Sequence, residues 1–181
     1  MSIQPGTHKL GPDNATLSVK TGRSGAASKA GHDLVIHVTS WQGTLTVGED
    51  PAQTSIELDA DASSLRVHEG KGGAKALGEN DKADIQKTID GDVLKGSAIK
   101  FRSTEVSGAE DGSRLSVRGE LELAGKGQPV DFELSVADGQ LTGSAVIKQT
   151  DWGIKPYSAL FGALKVKDEV EVEVEGSLPS G

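Results

Sequence analysis

The side chains with chemical potential are few. Imidazoles stand at His8, His32, His37 and His68, and cysteine is absent, so neither a thiolate nucleophile nor a cysteine-ligated metal is available. His32 and His37 are five apart at the start of an alternating run, and an odd spacing sends two strand side chains to opposite faces. With no His-x-x-x-His or His-Glu-x-x-His pattern, no metal site is expected. Ser24, Ser28, His32 and Asp33 crowd together, but Gly-x-Ser-x-Gly is absent, and adjacent His and Asp on an extended strand point apart. Gly70-Lys71-Gly72-Gly73 lacks the phosphate-loop spacing, and Gly125-Lys126-Gly127 reads as a turn between strands. The carboxylates alternate with apolar residues and so face water, where they serve solubility. No catalytic constellation and no cofactor motif emerges, which favours a binding module over an enzyme.

The elements that would position a binding site are strands. In Leu115-Ser116-Val117-Arg118-Gly119-Glu120-Leu121-Glu122-Leu123 the odd positions are apolar or glycine and the even ones polar. Val130, Phe132, Leu134 and Val136 alternate in the same way, as do Val170, Val172 and Val174 between glutamates. Further runs cover 16–21, 33–39, 44–47, 54–61, 65–68, 99–106 and 140–149, giving roughly ten short strands, enough for a sandwich or a closed barrel. Glu110-Asp111-Gly112-Ser113 and Asp138-Gly139 join neighbouring runs as hairpin loops, and the gaps are mostly too short for parallel crossovers.

Two segments break the alternation. Over Asn80 to Val93 the apolar residues Ile85, Ile89 and Val93 are four apart, which predicts a short helix at about 81–90, capped by Asn80 or Asp81 and ended at Gly91. Residues 155–164, apolar without alternation, predict a covering loop or short helix at one end of the sheet. Glycines at 70, 72, 73 and 78 mark 68–78 as the most mobile loop expected.

Length and composition agree with one domain over 1–181. The hydrophobic fraction is 35% and the aromatic fraction 3%, so an interior built from every other strand residue is lean in bulky rings. Such an interior is either a collapsed core or an elongated apolar cavity. The net charge of −8 opposes binding to a phosphate backbone, so nucleic acid is not an expected partner. No run approaches the about 18 apolar residues of a membrane helix, so no stable membrane insertion is expected. The amino terminus lacks a basic start followed by an apolar run, which predicts a cytoplasmic protein, or an exported one if a leader has been removed.

Beginning at Gly25-Ala26-Ala27-Ser28-Lys29-Ala30-Gly31-His32-Asp33-Leu34, the chain resembles the YceI-like family of lipocalin-like proteins. The likeness continues through Trp41-Gln42-Gly43-Thr44-Leu45, 58–65, Asp92-Val93-Leu94, Ile99-Lys100-Phe101-Arg102-Ser103-Thr104, 117–125 with Pro129-Val130, Gln149-Thr150-Asp151-Trp152-Gly153-Ile154-Lys155, and 162–174. Each piece alone is a weak strand motif, but the ordered set is specific.

The resemblance implies an all-β, antiparallel, lipocalin-like barrel whose interior holds a long isoprenoid or similar lipid tail. It implies a non-enzymatic carrier or store, in a family whose members are often dimeric; an unpaired strand edge would allow a homodimer here. On this reading the interior or its mouth is built from Leu34, Ile36, Trp41, Ile56, Leu58, Phe101, Phe132, Leu134, Trp152, Phe161 and Leu164. Head-group candidates are Arg23, Lys29, His32, Arg102, Lys155 and Tyr157. The alternatives are a lipid-modifying enzyme using the same cavity with His32 as acid/base, and a ligand-free structural or stress-response module with a filled core.

Overall fold

The computed structural model describes residues 4–26, 29, 31–72, 77–108, 113–159 and 164–178. The strands in chain order are β1 (Gly6–Leu10), β2 (Ala15–Lys20), β3 (Arg23–Ser24), β4 (Asp33–Val38), β5 (Trp41–Val47), β6 (Ser55–Ala60) and β7 (Leu65–Lys71). After helix α1 (Glu79–Thr88) come β8 (Ile99–Gly108), β9 (Arg114–Leu123), β10 (Lys126–Ala137), β11 (Gln140–Lys148), β12 (Ser158–Ala159), β13 (Leu164–Val166) and β14 (Glu169–Ser177). Eleven strands form one strongly curled sheet in the order β1-β5-β6-β8-β9-β10-β11-β14-β2-β4-β7; β12, β13 and β3 form a small second sheet. All strand pairs in both sheets are antiparallel. This is the expected all-β, lipocalin-like architecture.

One long ribbon makes the sheet return on itself. β4 runs into β5 and β6 into β7; β4 pairs with β7, while β5 pairs with β6. Between the two halves the Asp61 amide donates to Ser40 O, and the Thr39 amide to Ser64 O, both at 2.9 Å, so the ribbon stays paired round the corner. Its halves stand towards opposite ends of the strand order, and the covalent corner therefore joins them. Asp61 shapes the bend by accepting from the amide and hydroxyl of Ser63 at 2.9 and 2.7 Å. Those bonds hold its carboxyl below the ordinary aspartate range.

Hairpin chemistry sets the register. Asp138 and Gly139 have φ of 51° and 76°, the left-handed pair that a two-residue hairpin turn with the sheet's own twist requires. Ala124 and Gly125, with φ of 52° and 79°, do the same between β9 and β10. The turn foreseen at Gly125 to Gly127 thus sits one residue earlier. Of the loop foreseen at 110–113, only Ser113 is described.

The helix begins slightly before the predicted span. The Asp81 carboxylate accepts from the Gly78 amide at 3.0 Å, which satisfies a donor at the helix start. Gly91 does not end it: a π-helical turn continues over Ile89–Val93, and the left-handed residues are Lys95 and Gly96. In 155–164, residues 155–157 are irregular, as a covering loop requires, while Ser158 and Ala159 form β12 and pair with Lys165 and Leu164 of β13; 160–163 lie outside the described residues. Of the loop foreseen at 68–78, residues through Lys71 belong to β7, and 73–76 lie outside the described residues.

Candidate functional site

Alternation on a curled sheet gathers one side chain in two at the axis. Here the inward residues do not fill it. They surround a cavity of about 570 Å³ walled mainly by Leu, Ile, Val and Ala. Leu17 and Val19 of β2, Leu45 of β5, Leu121 of β9, Leu141 and Ile147 of β11, and Val170, Val172 and Val174 of β14 all contribute. Phe101 and Phe132 meet in the wall with ring centroids 5.3 Å apart and planes tilted by 59°, the offset contact that aromatic quadrupoles favour. Gly43 and Gly143 leave the wall thin: a Cβ at 143 would come within 2.4 Å of Leu134 Cδ2.

Of the residues nominated from sequence for the interior, Leu34, Ile36, Trp41, Ile56, Leu58, Phe101, Phe132 and Leu134 line the cavity. Trp152 does not. It is 4% exposed, and its Nε1–H donates to the Leu121 carbonyl at 2.8 Å, so its polar tip is satisfied in the protein body outside the wall. Leu164 opens β13, but its side chain lies outside the described part of the structure, as does Phe161.

The head-group candidates divide. Arg23, His32 and Tyr157 line the cavity, whereas Arg102, Lys155 and Lys29 do not. Phe101 faces inward, and alternation sends Arg102 to the outer surface, where its guanidinium lies 3.7 Å from carboxylates of both Glu57 and Asp59. Lys155 and Lys29 are exposed away from the cavity. Arg23 is held at its post: Nη1 donates to the Gly31 carbonyl and Nε lies 3.5 Å from Asp33. Tyr157 joins it through the small sheet, since Val166 N donates to Tyr157 O at 2.9 Å and Val166 pairs with Arg23.

Helix α1 supplies wall residues that the sequence reading left unassigned. Ile85 and Ile89, whose spacing marked the helix, face the cavity together with Asp84 and Thr88. The signal was present in the four-residue repeat; what it lacked was the surface that this stripe covers. Lys165 of β13 is a second omission.

His37 and His68 stand apart from the cavity wall. Between β4 and β7 the register shifts after Val35, leaving His68 as an extra residue, and its ring stacks on His37 with centroids 4.1 Å apart and planes 13° from parallel. Burial, with the neighbouring His68 second, holds the His37 imidazole below its ordinary range. Among the described residues, no group of three or more His, Cys, Asp or Glu could hold a metal ion. Nor is any described helix long and apolar enough to cross a membrane.

Comparison with known proteins then decides the kinship. The model of the YceI-like domain matches residues 11–178, nearly the whole chain. The chain belongs to the YceI-like family. Compared with curated proteins, this YceI-like chain has no match. Among solved structures it is similar to BcnA of Burkholderia cenocepacia, with a TM-score of 0.62 and 18% identity over 89% of this chain and 94% of that one. It is also similar to the YceI protein of Campylobacter jejuni, with a TM-score of 0.55 and 12% identity over 81% of this chain and 85% of that one. At these identities the likeness is one of fold.

Proposed function

We propose that this YceI-like protein binds a long apolar chain, isoprenoid or fatty-acyl, inside its barrel for transport, storage or sequestration. The observation that carries this reading is the cavity of about 570 Å³ walled by aliphatic side chains. Its volume lies within the roughly 300–1,000 Å³ typical of small-molecule sites. Each methylene moved from water into such a wall contributes about 0.8 kcal/mol, so the tail supplies most of the affinity and the head group sets orientation. A filled core, the structural-module alternative, would need these inward side chains to meet across the axis.

Mass spectrometry of an organic extract of the protein, purified from its native host, tests the proposal. A co-purifying lipid is the expected result; a clean extract, together with failure to take up added long-chain lipids, would contradict it. A second reading is supported by His32, the wall's imidazole: an enzyme acting on a lipid in the same cavity with His32 as acid/base. His32→Ala separates the two. The binding reading expects lipid uptake to persist, whereas the enzymatic reading expects loss of a measurable turnover.

A further inference from the structure

We propose that the small sheet of β3, β12 and β13 docks onto a bilayer bearing anionic lipids, so that the cavity exchanges its apolar chain at a membrane surface. The proposal rests on the binding reading above and adds the partner with which the cavity exchanges. Its basis is an uneven distribution of charge.

The whole chain carries 27 Asp and Glu against 19 Lys and Arg. Residues 14–32 and 152–167 depart from that balance. They hold six of the cations, Lys20, Arg23, Lys29, Lys155, Lys165 and Lys167, and no carboxylate, which leaves 13 cations against 27 carboxylates elsewhere. The fold joins the two basic stretches. Ser24 pairs with Lys165 and Arg23 with Val166 in the small sheet, and the Lys167 amide donates to Gly22 O at 2.9 Å. Lys29 stands two residues from Gly31, which accepts from Arg23, and Lys155 two residues from Tyr157, which accepts from Val166. Two residues of chain span at most about 7 Å, so both lysines stay beside the small sheet.

This basic patch lies where the cavity meets solvent. Tyr157 and Lys165 are exposed and also line the cavity, as do the less exposed Arg23 and His32. Arg23 is engaged by Asp33, and Lys20 by Glu173 at 2.6 Å. Lys29, Lys155, Lys165 and Lys167 form no ion pair among the described residues. Asp168, next to Lys167, is held by the Thr150 amide and hydroxyl at 2.8 and 2.6 Å. Helix α1 also lines the cavity, but it carries Glu79, Asp81 and Asp84 against Lys82 and Lys87, so the docked protein leans on the small sheet and not on the helix.

Each cation held near a negative bilayer surface raises partition about fivefold, and the field decays over about 8–10 Å. Four uncompensated lysines inside that layer outweigh carboxylates on the far wall, whose repulsion is screened. Tyr157, 50% exposed, adds an amphipathic ring of the kind that seats at head-group level. A bilayer fits the patch better than an acidic protein because the patch rims an opening into an aliphatic cavity, and lipid is the phase that holds apolar chains.

The test is co-sedimentation with vesicles of phosphatidylcholine alone and of phosphatidylcholine with equal parts phosphatidylglycerol. The protein is expected to bind the anionic vesicles at about 0.1 M salt, to leave them at about 1 M, and to ignore the neutral ones. Lys155→Glu with Lys167→Glu should weaken binding about 25-fold or more, while uptake of an apolar probe without vesicles persists, since neither residue lines the cavity. Glu175→Lys, at an exposed position about 20 Å along β14 from Glu169, should change binding less than about twofold. Failure to bind anionic vesicles would overturn the proposal, as would binding unmoved by the double substitution or strengthened as much by Glu175→Lys as the double substitution weakens it. Probe uptake without vesicle binding overturns this proposal alone; vesicle binding without probe uptake supports the docking surface and contradicts the proposed function instead.

Discussion

The barrel wall and its α1 and small-sheet end are built to different standards. In the wall, β8, β9 and β10 run for 10, 10 and 12 residues in long ladders, and Val106, Leu115, Val117 and Leu134 are at most 4% exposed. At the other end, β3 and β12 have two residues each and β13 three, while α1 has no fully buried residue. The difference teaches that stability and access are assigned to separate parts of the chain. Elements with few buried contacts open at low free-energy cost, while the long ladders open only with the whole domain.

The sharpest way to break this comparison is a pair of truncations. Leu115→Ala, in the wall but outside the cavity lining, should cost about 2–5 kcal/mol, read from urea denaturation. Ile85→Ala on α1 should cost about 1 kcal/mol or less in the same assay while weakening uptake of an apolar probe. Equal costs would remove the distinction.

Gly119→Ala probes the tightness of the wall itself. A Cβ there would lie 2.4 Å from the Arg102 carbonyl and 2.5 Å from Phe101 Cζ, and the backbone atom cannot rotate away. The expected loss is about 1–3 kcal/mol. Hydrogen exchange compares the same regions without mutation: amides of α1 and β13 should exchange well before those of β9 and β10, and uniform protection would contradict the contrast.

The smallest effect concerns pH. Because the folded His37 imidazole lies below its unfolded value of 6.5, the unfolded chain binds more protons as pH falls through that value. Stability should therefore be fully present above it and decline below it. The His68 ring stacked on His37 adds to the repulsion a new imidazolium would meet. Denaturation midpoints at about pH 7.5 and about pH 5.5 check this, with His37→Gln expected to flatten the difference. A midpoint that rises on acidification would contradict the sign.

Much of the wall was legible because alternation is a direct consequence of pleating, and it located Phe101, Phe132 and Leu134 on the inward face. The nomination of Arg102 as a head-group contact ran against that signal, since the same alternation around Phe101 places its side chain outside. Very short strands leave no period to read, so β3, β12 and β13 were invisible. β1 was hidden for another reason: Thr7, His8 and Lys9 give it a polar face, and among the described residues it pairs only with β5. Trp152 shows the limit of residue type, since a large ring near the covering segment can serve the wall or the body, and the Leu121 carbonyl decided for the body. Whether lean inward residues collapse or enclose space depends on curvature. Curvature is fixed by pairings such as Asp61 with Ser40 across the ribbon corner, which no local pattern encodes.

The central claim, that the cavity holds an apolar chain, is tested most directly through Trp41, which lines it, in a Trp152→Phe background where it is the sole indole. Its emission would be titrated with alcohols of increasing chain length. The account predicts saturable binding whose free energy improves by about 0.8 kcal/mol per added methylene until the cavity is full, then levels off. Affinity independent of chain length, or no saturable change at any length, would contradict it.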